Sequence, residues 1–526
     1  MPRSKVVCGV TLLCALFIII IIIVVVIIAA RPKCPQGAFS HAAVAADSRT
    51  CSEIGREALR AGGSAVDGAI AALLCTSVVN PQSMGLGGGV IFTVMSSSGE
   101  VRVINSRETA PRNFQADLLD SCPNYRLFPS IPPGSQWIGV PGEIRGYAEA
   151  HRLYGKLPWP DLFWPTIQLA REGLAISEVL GTEDARNTET QISTGDILKF
   201  EKLADTLEVI ANEGPDVFYT GQIAEDLIRD VQEAGGTLTA QDLAAYRATV
   251  TDAWRVPLGE YQMYTPPPPT GGILLSLVMN VMNGWSALEG EQKTLTYHHY
   301  VEAFKFANGL KKYTRDPKFN LKGESFADHI RSLIKNNMTH DTEYYSITPY
   351  LDNIGTTHVS VLAEDGSAVS VTSTINQIFG SLVFSPRTGV ILNNQLSDFC
   401  GRVENISPGE RPPSFVAPSL IKSQLSTLVI GSAGGSTITT GLALMNHLWF
   451  GKSLEEAIAE PVVFVDSSAK LTFERKFDQK VIDGLTALGH QQGKVRLFNV
   501  VNAVEKVGDC IWAVSDARKL GQAAGY

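Results

Sequence analysis

Hydrophobic and polar positions follow two different rhythms along this chain. From Gly142 to about Glu233, apolar residues recur at spacings of three and four, as in Glu143–Tyr154 and Leu203–Asn212, which predicts helices with one buried face. Later the rhythm shortens to two. His358-Val-Ser-Val-Leu-Ala363 alternates, Asp365-Gly366 has the chemistry of a two-residue hairpin turn, and Ala368–Ile375 alternates again. With Asp365 and Gly366 as the loop, Glu364 faces Ser367, and Thr356 and Thr357 fall opposite Ile375 and Thr374. The hairpin then lays the Thr374 hydroxyl beside Thr356, and a one-residue slip would turn it away.

Other elements follow from the same pattern. A strand is predicted at Ala42–Ala46 and a helix around residues 65–79. The glycine-rich loop 85–89 leads into strands at Val90–Val94 and Val101–Ile104. Four prolines make Tyr264–Thr270 an extended loop. Helices are predicted at Ile273–Asn283 and His298–Leu310, a polar exposed loop over 336–355, and short strands around Gly389–Asn393. A strand at Thr427–Ile430, a glycine-rich turn and a helix from about Ile438 to Phe450 complete the series. Because the strands come as hairpins, two antiparallel sheets with helices outside form the expected α+β architecture. No internal repeat is visible.

One segment departs from both rhythms. Val6–Ala30 holds 25 residues without a charge, almost all Ile and Val from Phe17 to Ile28. That is long enough to cross a bilayer and longer than the core of about 7 to 15 residues found in a cleaved signal. The expected arrangement is a cytosolic tail (1–5), a transmembrane anchor (6–30) and an extracellular body, single-pass type II in the plasma membrane. The flanking charges, Arg3 and Lys5 against Arg31 and Lys33, do not set the orientation.

At 44% hydrophobic and 18% charged, the body can bury an ample core. A net charge of −9 without a basic, aromatic-studded patch excludes nucleic acid as a partner. Cys34, Cys51, Cys75, Cys122, Cys400 and Cys510 show no CxxC or Cys/His ligand spacing, so no metal is expected. Asn337-Met-Thr339 and Asn405-Ile-Ser407 fit the glycosylation acceptor pattern, and Pro408 weakens the second.

The chemistry concentrates at Gly355-Thr356. A threonine hydroxyl needs a base beside it, and a chain cut before Thr356 supplies one in its new α-amine. Such an amine has a pKa of roughly 7.7 to 8, suited to general base work near neutral pH. The resulting expectation is a self-cleaving amidohydrolase with an N-terminal threonine. The oxyanion of such a reaction needs backbone donors, and Gly431-Ser-Ala-Gly-Gly-Ser436, between a strand and a helix, can converge N–H groups at a positive helix end.

Several strings, in order from about His41 to Tyr526, resemble the γ-glutamyltransferases. Asn80–Gly89, Arg107-Glu-Thr-Ala-Pro111 and Gly139-Val-Pro-Gly-Glu143 resemble their large-subunit signatures. Thr356–Val361, Thr372–Asn376, Ile391–Asp398 and Gly431–Gly435 resemble those of the small subunit. Within the family, Val78–Gln82, Ser385–Gly389 and the ending Ala524-Gly-Tyr526 look most like the type 5 branch.

The resemblance implies the four-layer αββα sandwich of N-terminal nucleophile hydrolases, with a large subunit (31–355) and a small one (356–526) made by cleavage between Gly355 and Thr356. It implies Thr356 as nucleophile, Thr374 holding it, and Gly434 and Gly435 as the oxyanion hole. Arg107 would clamp the donor's α-carboxylate, Asp398 its α-ammonium, and Asn376, Gln395 and Ser414 would line the head group. A Cys51–Cys75 disulfide is implied as well. Donors would be glutathione, its conjugates or leukotriene C4, with water or a peptide as acceptor and no cofactor.

Three departures qualify the pattern. Gln395 stands where some members carry Glu. The family's Ser-Ser pair reads Ser414-Phe415, losing a hydroxyl and gaining a ring. The stretch 181–198 is short and lacks a second cysteine pair. Rival readings are a non-catalytic cell-surface protein on the same fold, and an N-terminal nucleophile amidohydrolase acting on another acyl group.

Overall fold

The computed structural model describes residues 34–115, 117–122, 134–176, 194–283, 291–314, 324–347, 355–401, 405–433, 438–466, 468–493 and 500–526, with 17 and 20. The expected anchor, the oxyanion pair Gly434 and Gly435, and most of the shortened stretch 181–198 lie outside the described residues. Among the described residues no helix is long and apolar enough to cross a membrane.

Two antiparallel sheets carry the body. The first has seven strands in the order Ala524–Gly525, Ala43–Ala45, Gly355–Leu362, Ala368–Asn376, Gly89–Met95, Val101–Ser106 and Thr249–Asp252. The second has six, in the order Cys510–Ser515, Val500–Val507, Ser426–Ala433, Ser419–Lys422, Tyr261–Thr265 and Trp254–Leu258. Helices Arg49–Arg60, Ala65–Val79 and Glu143–Tyr154 cover the outer face of the first sheet; Gly272–Met282 and Ile438–Leu448 cover that of the second, with Glu291–Leu310 packed against Gly272–Met282. The result is the expected four-layer αββα sandwich.

Central strands in such a stack are buried on both faces, and Gly355–Leu362 and Ala368–Asn376 are buried at every position. Period-two alternation sorts their side chains. Val359, Val361, Val369 and Val371 enter the core shared with the helices, while Leu362 and Ala368 join the core between the sheets. At the other end the inter-sheet layer is polar but satisfied: Ser370 Oγ donates to the Ile430 carbonyl at 2.9 Å and Ser360 Oγ to that of Asn502 at 3.0 Å.

The hairpin differs from expectation by one residue. Ala363 pairs with Ser367, so the loop is the three residues Glu364, Asp365 and Gly366, the last in the left-handed region at φ +81°. Thr374 therefore stands opposite Thr356, and Ser373 opposite Thr357. The slip turns the Thr374 hydroxyl toward Thr356. Adding a residue to the loop reverses which side chains share a face.

Other differences concern reach. The helix expected at His298–Leu310 starts at Glu291, and Tyr264 and Thr265 belong to a strand rather than to the proline loop. The polar stretch expected to be an exposed loop over 336–355 is not wholly exposed, because Tyr345 and Ile347 are buried. Among the described residues three disulfides are present, Cys51–Cys75 as implied, together with Cys34–Cys510 and Cys122–Cys400.

Candidate active site

Thr356 is the second residue of a central strand, where its neighbours are set by sheet register. Its hydroxyl lies 3.1 Å from that of Thr374, the residue directly opposite. Thr374 Oγ1 donates to the Gly355 carbonyl at 2.6 Å and accepts from the Asn376 amide at 2.8 Å. With its single proton committed to Gly355, Thr374 is left to accept from the Thr356 hydroxyl. One side chain thus polarises the carbonyl of the Gly355–Thr356 peptide and orients the hydroxyl beside it.

A second group of residues fixes the main chain on the other side. Lys519 Nζ donates to the Thr356 carbonyl at 2.7 Å and pairs with Asp47 at 3.0 Å. Asp47 also accepts from Thr357 Oγ1 at 2.6 Å and from Asn502 Nδ2 at 2.7 Å, and Asn502 reaches the His358 carbonyl. Sequence reasoning missed Asp47, Asn502 and Lys519. No local pattern marks them, since each acts across hundreds of residues. His358 itself is held neutral, its pKa pushed down to about 3 by burial, between Thr372 and Ser360 hydroxyls. It cannot serve as a base toward Thr356.

Arg107 lies on the same rung of the sheet. Thr356 pairs with Thr374, Thr374 with Gly89, and Ser106 with Val90, which brings Arg107 beside Gly89 three strands from Thr356. At about 4.8 Å per strand the backbones are roughly 14 Å apart, a gap that an arginine side chain and a short acyl chain can bridge. Arg107 is fully buried and donates to Asp398 at 2.5 Å and to the carbonyls of Pro412 and Pro413. The short turn Gln395–Phe399 that carries Asp398 is tied to the hairpin by Asn376, whose Nδ2 donates to the Asn394 carbonyl at 3.0 Å and to Ser397 Oγ at 2.9 Å. Gln395 Nε2 donates to Asp398 at 2.7 Å. The Ser414 hydroxyl accepts from the Val416 amide at 3.0 Å. The structure thus unites Thr356, Thr374, Asn376, Arg107, Gln395 and Asp398, with Ser414 next to the Arg107-bound carbonyls.

Two buried acids were also missed. Burial raises Glu108 to about 7 despite neighbouring Arg107, and its Oε2 lies where a Cβ on Gly89 would fall, at 2.7 Å. Burial raises Glu143 to about 8, against the hydrogen bond from Tyr147 at 2.5 Å that pulls the other way. Asn337 and Asn405 are exposed, as a glycan acceptor must be. Among the described residues one group, His298, Glu302 and His490, has the proximity of metal ligands. Lys305 already supplies a cation there, with Nζ 3.0 Å from His490 and 3.2 Å from Glu302.

Comparison with known proteins adds a second line of evidence. The family model described as gamma-glutamyltranspeptidase matches residues 51–526. Glutathione hydrolase 5 proenzyme of Rattus norvegicus is 45% identical, covering 99% of this chain and 98% of that one. Among solved structures, the cephalosporin acylase of Bacillus halodurans superposes with a TM-score of 0.82 at 22% identity, covering 94% and 98% of the two chains. The gamma-glutamyltranspeptidase of Helicobacter pylori gives 0.52 at 25% identity, over 60% of this chain and 96% of that one.

Proposed function

Because this chain belongs to the γ-glutamyltranspeptidase family, we propose that it is a self-cleaving γ-glutamyl hydrolase and transferase with Thr356 as its nucleophile. The observation that carries this is the Thr374 hydroxyl, within hydrogen-bond reach of both the Thr356 hydroxyl and the Gly355 carbonyl. In the precursor, Thr356 Oγ1 attacks the Gly355 carbonyl carbon while Thr374 polarises the carbonyl oxygen. An N-to-O acyl shift gives an ester at Thr356, and water then releases residues 1–355 and frees the Thr356 α-amine.

In the cut enzyme that amine takes the hydroxyl proton, and Thr356 receives the γ-glutamyl group from a donor. Arg107 holds the donor's α-carboxylate, Asp398 receives its α-ammonium, and Asn376 and Gln395 orient the two anchors. Gly434 and Gly435 stabilise the oxyanion. Glutathione is the donor favoured by the name of the rat relative, and glutathione conjugates and leukotriene C4 are further candidates. Water or an acceptor peptide completes the cycle, and no cofactor is required.

The body lies outside the cell on a type II anchor at 6–30. Support comes from the uncharged run, from three disulfides of the kind that persist in oxidising compartments, and from the exposed Asn337 and Asn405.

N-terminal sequencing of the smaller fragment on a reducing gel tests the core of this reading. The expected first residue is Thr356, and Thr356→Ala yields one uncut chain that releases no γ-glutamyl product. A fragment beginning elsewhere, or a cut Thr356→Ala chain, refutes it.

A further inference from the structure

We propose that two hairpin tips of the second sheet, 423–426 and 507–510, rest on the bilayer, with Leu425 and Val507 entering its headgroup layer and the active site turned away from it. The inference rests on the anchor reading above. Leu425 is 81% exposed and Val507 44%, at the ends of strands whose interiors are buried. Single exposed aliphatic residues are ordinary on a protein surface, but these two are neighbours. Val507 pairs with Ser426, and the Gly508 amide donates to the Leu425 carbonyl at 3.5 Å. Ser423 Oγ accepts from the amides of Leu425 and Ser426 at 3.1 and 3.0 Å, so the turn's own hydrogen bonds hold its backbone while Leu425 faces out.

Covalent connection ties this patch to the anchor. The expected anchor ends at Ala30 and Cys34 follows four residues later, a span of at most about 14 Å. Cys34 is bonded to Cys510 with 5.5 Å between their Cα atoms, and Cys510 is the direct partner of Val507 across its hairpin. Leu425 adjoins the next strand, roughly 10 Å from Cys510 at about 4.8 Å per strand. Phe39 and Ile511 exchange main-chain bonds at 2.8 and 2.9 Å, which hold the chain beyond Cys34 along the same edge strand. The tips are thus tethered within a short reach of the membrane surface. Charges beside them are mixed, Lys422 and Lys506 against Asp509. That mixture fits the zwitterionic headgroups of phosphatidylcholine, with apolar contact supplying the attraction.

The orientation has a consequence for substrate access. Ser426–Ala433 runs from the Leu425 tip to the residue before the proposed oxyanion pair, and Gly355–Leu362 runs from Thr356 back toward the tip end. Gly431 lies against His358 and Ile430 accepts from Ser370, so the two sheets are in step along this direction. A strand of eight residues spans roughly 24 Å. Donors then reach Thr356 from solution and not along the lipid surface.

The test places the full chain in phosphatidylcholine vesicles that contain a phosphatidylcholine with a diazirine near the headgroup end of one acyl chain. After illumination, reduction and digestion, lipid adducts should fall on the peptides holding Leu425 and Val507 and be absent from the peptide holding Gln395–Phe399. Leu425→Asp combined with Val507→Asp should lower those adducts about tenfold, the scale set by burial of one aliphatic side chain. Hydrolysis of γ-glutamyl-p-nitroanilide should stay within about twofold of the wild type. Should the double variant fail to fold, Leu425→Ser should lower the adducts in the same direction. A wash in alkaline carbonate separates the two ways of failing. A chain stripped from the vesicles overturns the anchor reading and this inference with it. A chain that stays in the vesicles with no lipid on its tips, or with undiminished adducts in the folded variants, overturns this inference alone.

Discussion

The Thr374 hydroxyl bonds both groups proposed to react, the Gly355 carbonyl and the Thr356 hydroxyl, as well as the Asn376 amide, and its removal separates chemistry from folding. Thr374→Val keeps the strand's shape and β-branching but loses both the polarising bond to Gly355 and the acceptor for Thr356. Maturation and turnover should each fall by about a hundredfold or more, with the thermal midpoint little changed. Lys519 acts one step removed, through the Thr356 carbonyl. Lys519→Met should lower kcat about tenfold while leaving KM nearly constant, and Lys519→Arg should recover part of the loss; a change confined to KM would deny it a positioning role. The two threonines were legible because hydroxyls at strand positions next to Gly355 have a stated chemical use. Lys519 and Asp47 were not, since an isolated charge in a sequence is ordinarily a solvated one and only the fold reveals burial. Glu108 and Glu143 escaped notice for the same reason, and they bring a pH dependence. The Glu143 carboxyl ionises near pH 4.5 when unfolded and near 8 when folded, so its contribution is full below about 4.5 and is lost as pH rises toward 8. Glu143→Gln keeps an acceptor for Tyr147 and removes the titration. Its thermal midpoint should gain on the wild type progressively from pH 5 to pH 8, and a constant gap over that range would show that the carboxyl does not titrate there. His358 works in the opposite sense, neutral in the fold down to about pH 3, so its contribution is lost as pH falls below roughly 6.5.

At the level of elements, the hairpin shows what a pattern can and cannot fix. Alternation located both strands and their buried faces, because period two is a property of each strand alone. Register depends on the loop, and Asp365-Gly366 is compatible with a two-residue turn or with the last two positions of a three-residue one. The Ala363 amide bonded to the Ser367 carbonyl, with Gly366 and not Asp365 in the left-handed region, selects the second, and that choice decides which threonine faces Thr356. The three strands between residues 249 and 265 and the C-terminal pair Val500–Val507 and Cys510–Ser515 were passed over. The second of them reads Cys-Ile-Trp-Ala-Val-Ser, mixed in polarity and half-exposed, which blurs the signal. Close approach between elements is another property that only the fold displays. A Cβ on Gly88 would fall 2.2 Å from the Thr374 carbonyl oxygen, a main-chain atom with nowhere to go. Gly88→Ala should push the strand carrying Thr374 away from Thr356 and abolish maturation, and the uncut precursor should be visible on a reducing gel. Efficient cutting by that variant would mean the strand can shift without disturbing the threonine pair.

For the whole molecule, the consequence of the proposed cut after Gly355 is set by how the two resulting pieces would interlock. Gly355–Leu362 lies between Ala43–Ala45 from the first piece and Ala368–Asn376 from its own, and both sheets draw strands from either side of the cut. The fold therefore cannot separate into halves without breaking sheet hydrogen bonds and opening the inter-sheet core. Two disulfides add a covalent tie, because Cys34 and Cys122 precede the cut while their partners Cys510 and Cys400 follow it. Among the disulfides of the described residues, Cys51–Cys75 alone stays within one piece, and it is the one the family resemblance implied. The bridging pairs were invisible in the sequence, since separations of 476 and 278 residues carry no spacing signal. The mature protein should thus run as one species on a denaturing gel without reductant and as two with it. Replacing Cys34 and Cys122 together by Ser should free the small piece without reductant, while either replacement alone should not. Two bands from the wild type in the absence of reductant would show that these pairs do not bridge the cut. Because the strands interleave, reductant without denaturant should leave γ-glutamyl release within about twofold of its starting value: the covalent tie limits loss of the small piece after unfolding, and the sheets hold the reacting groups in place before it.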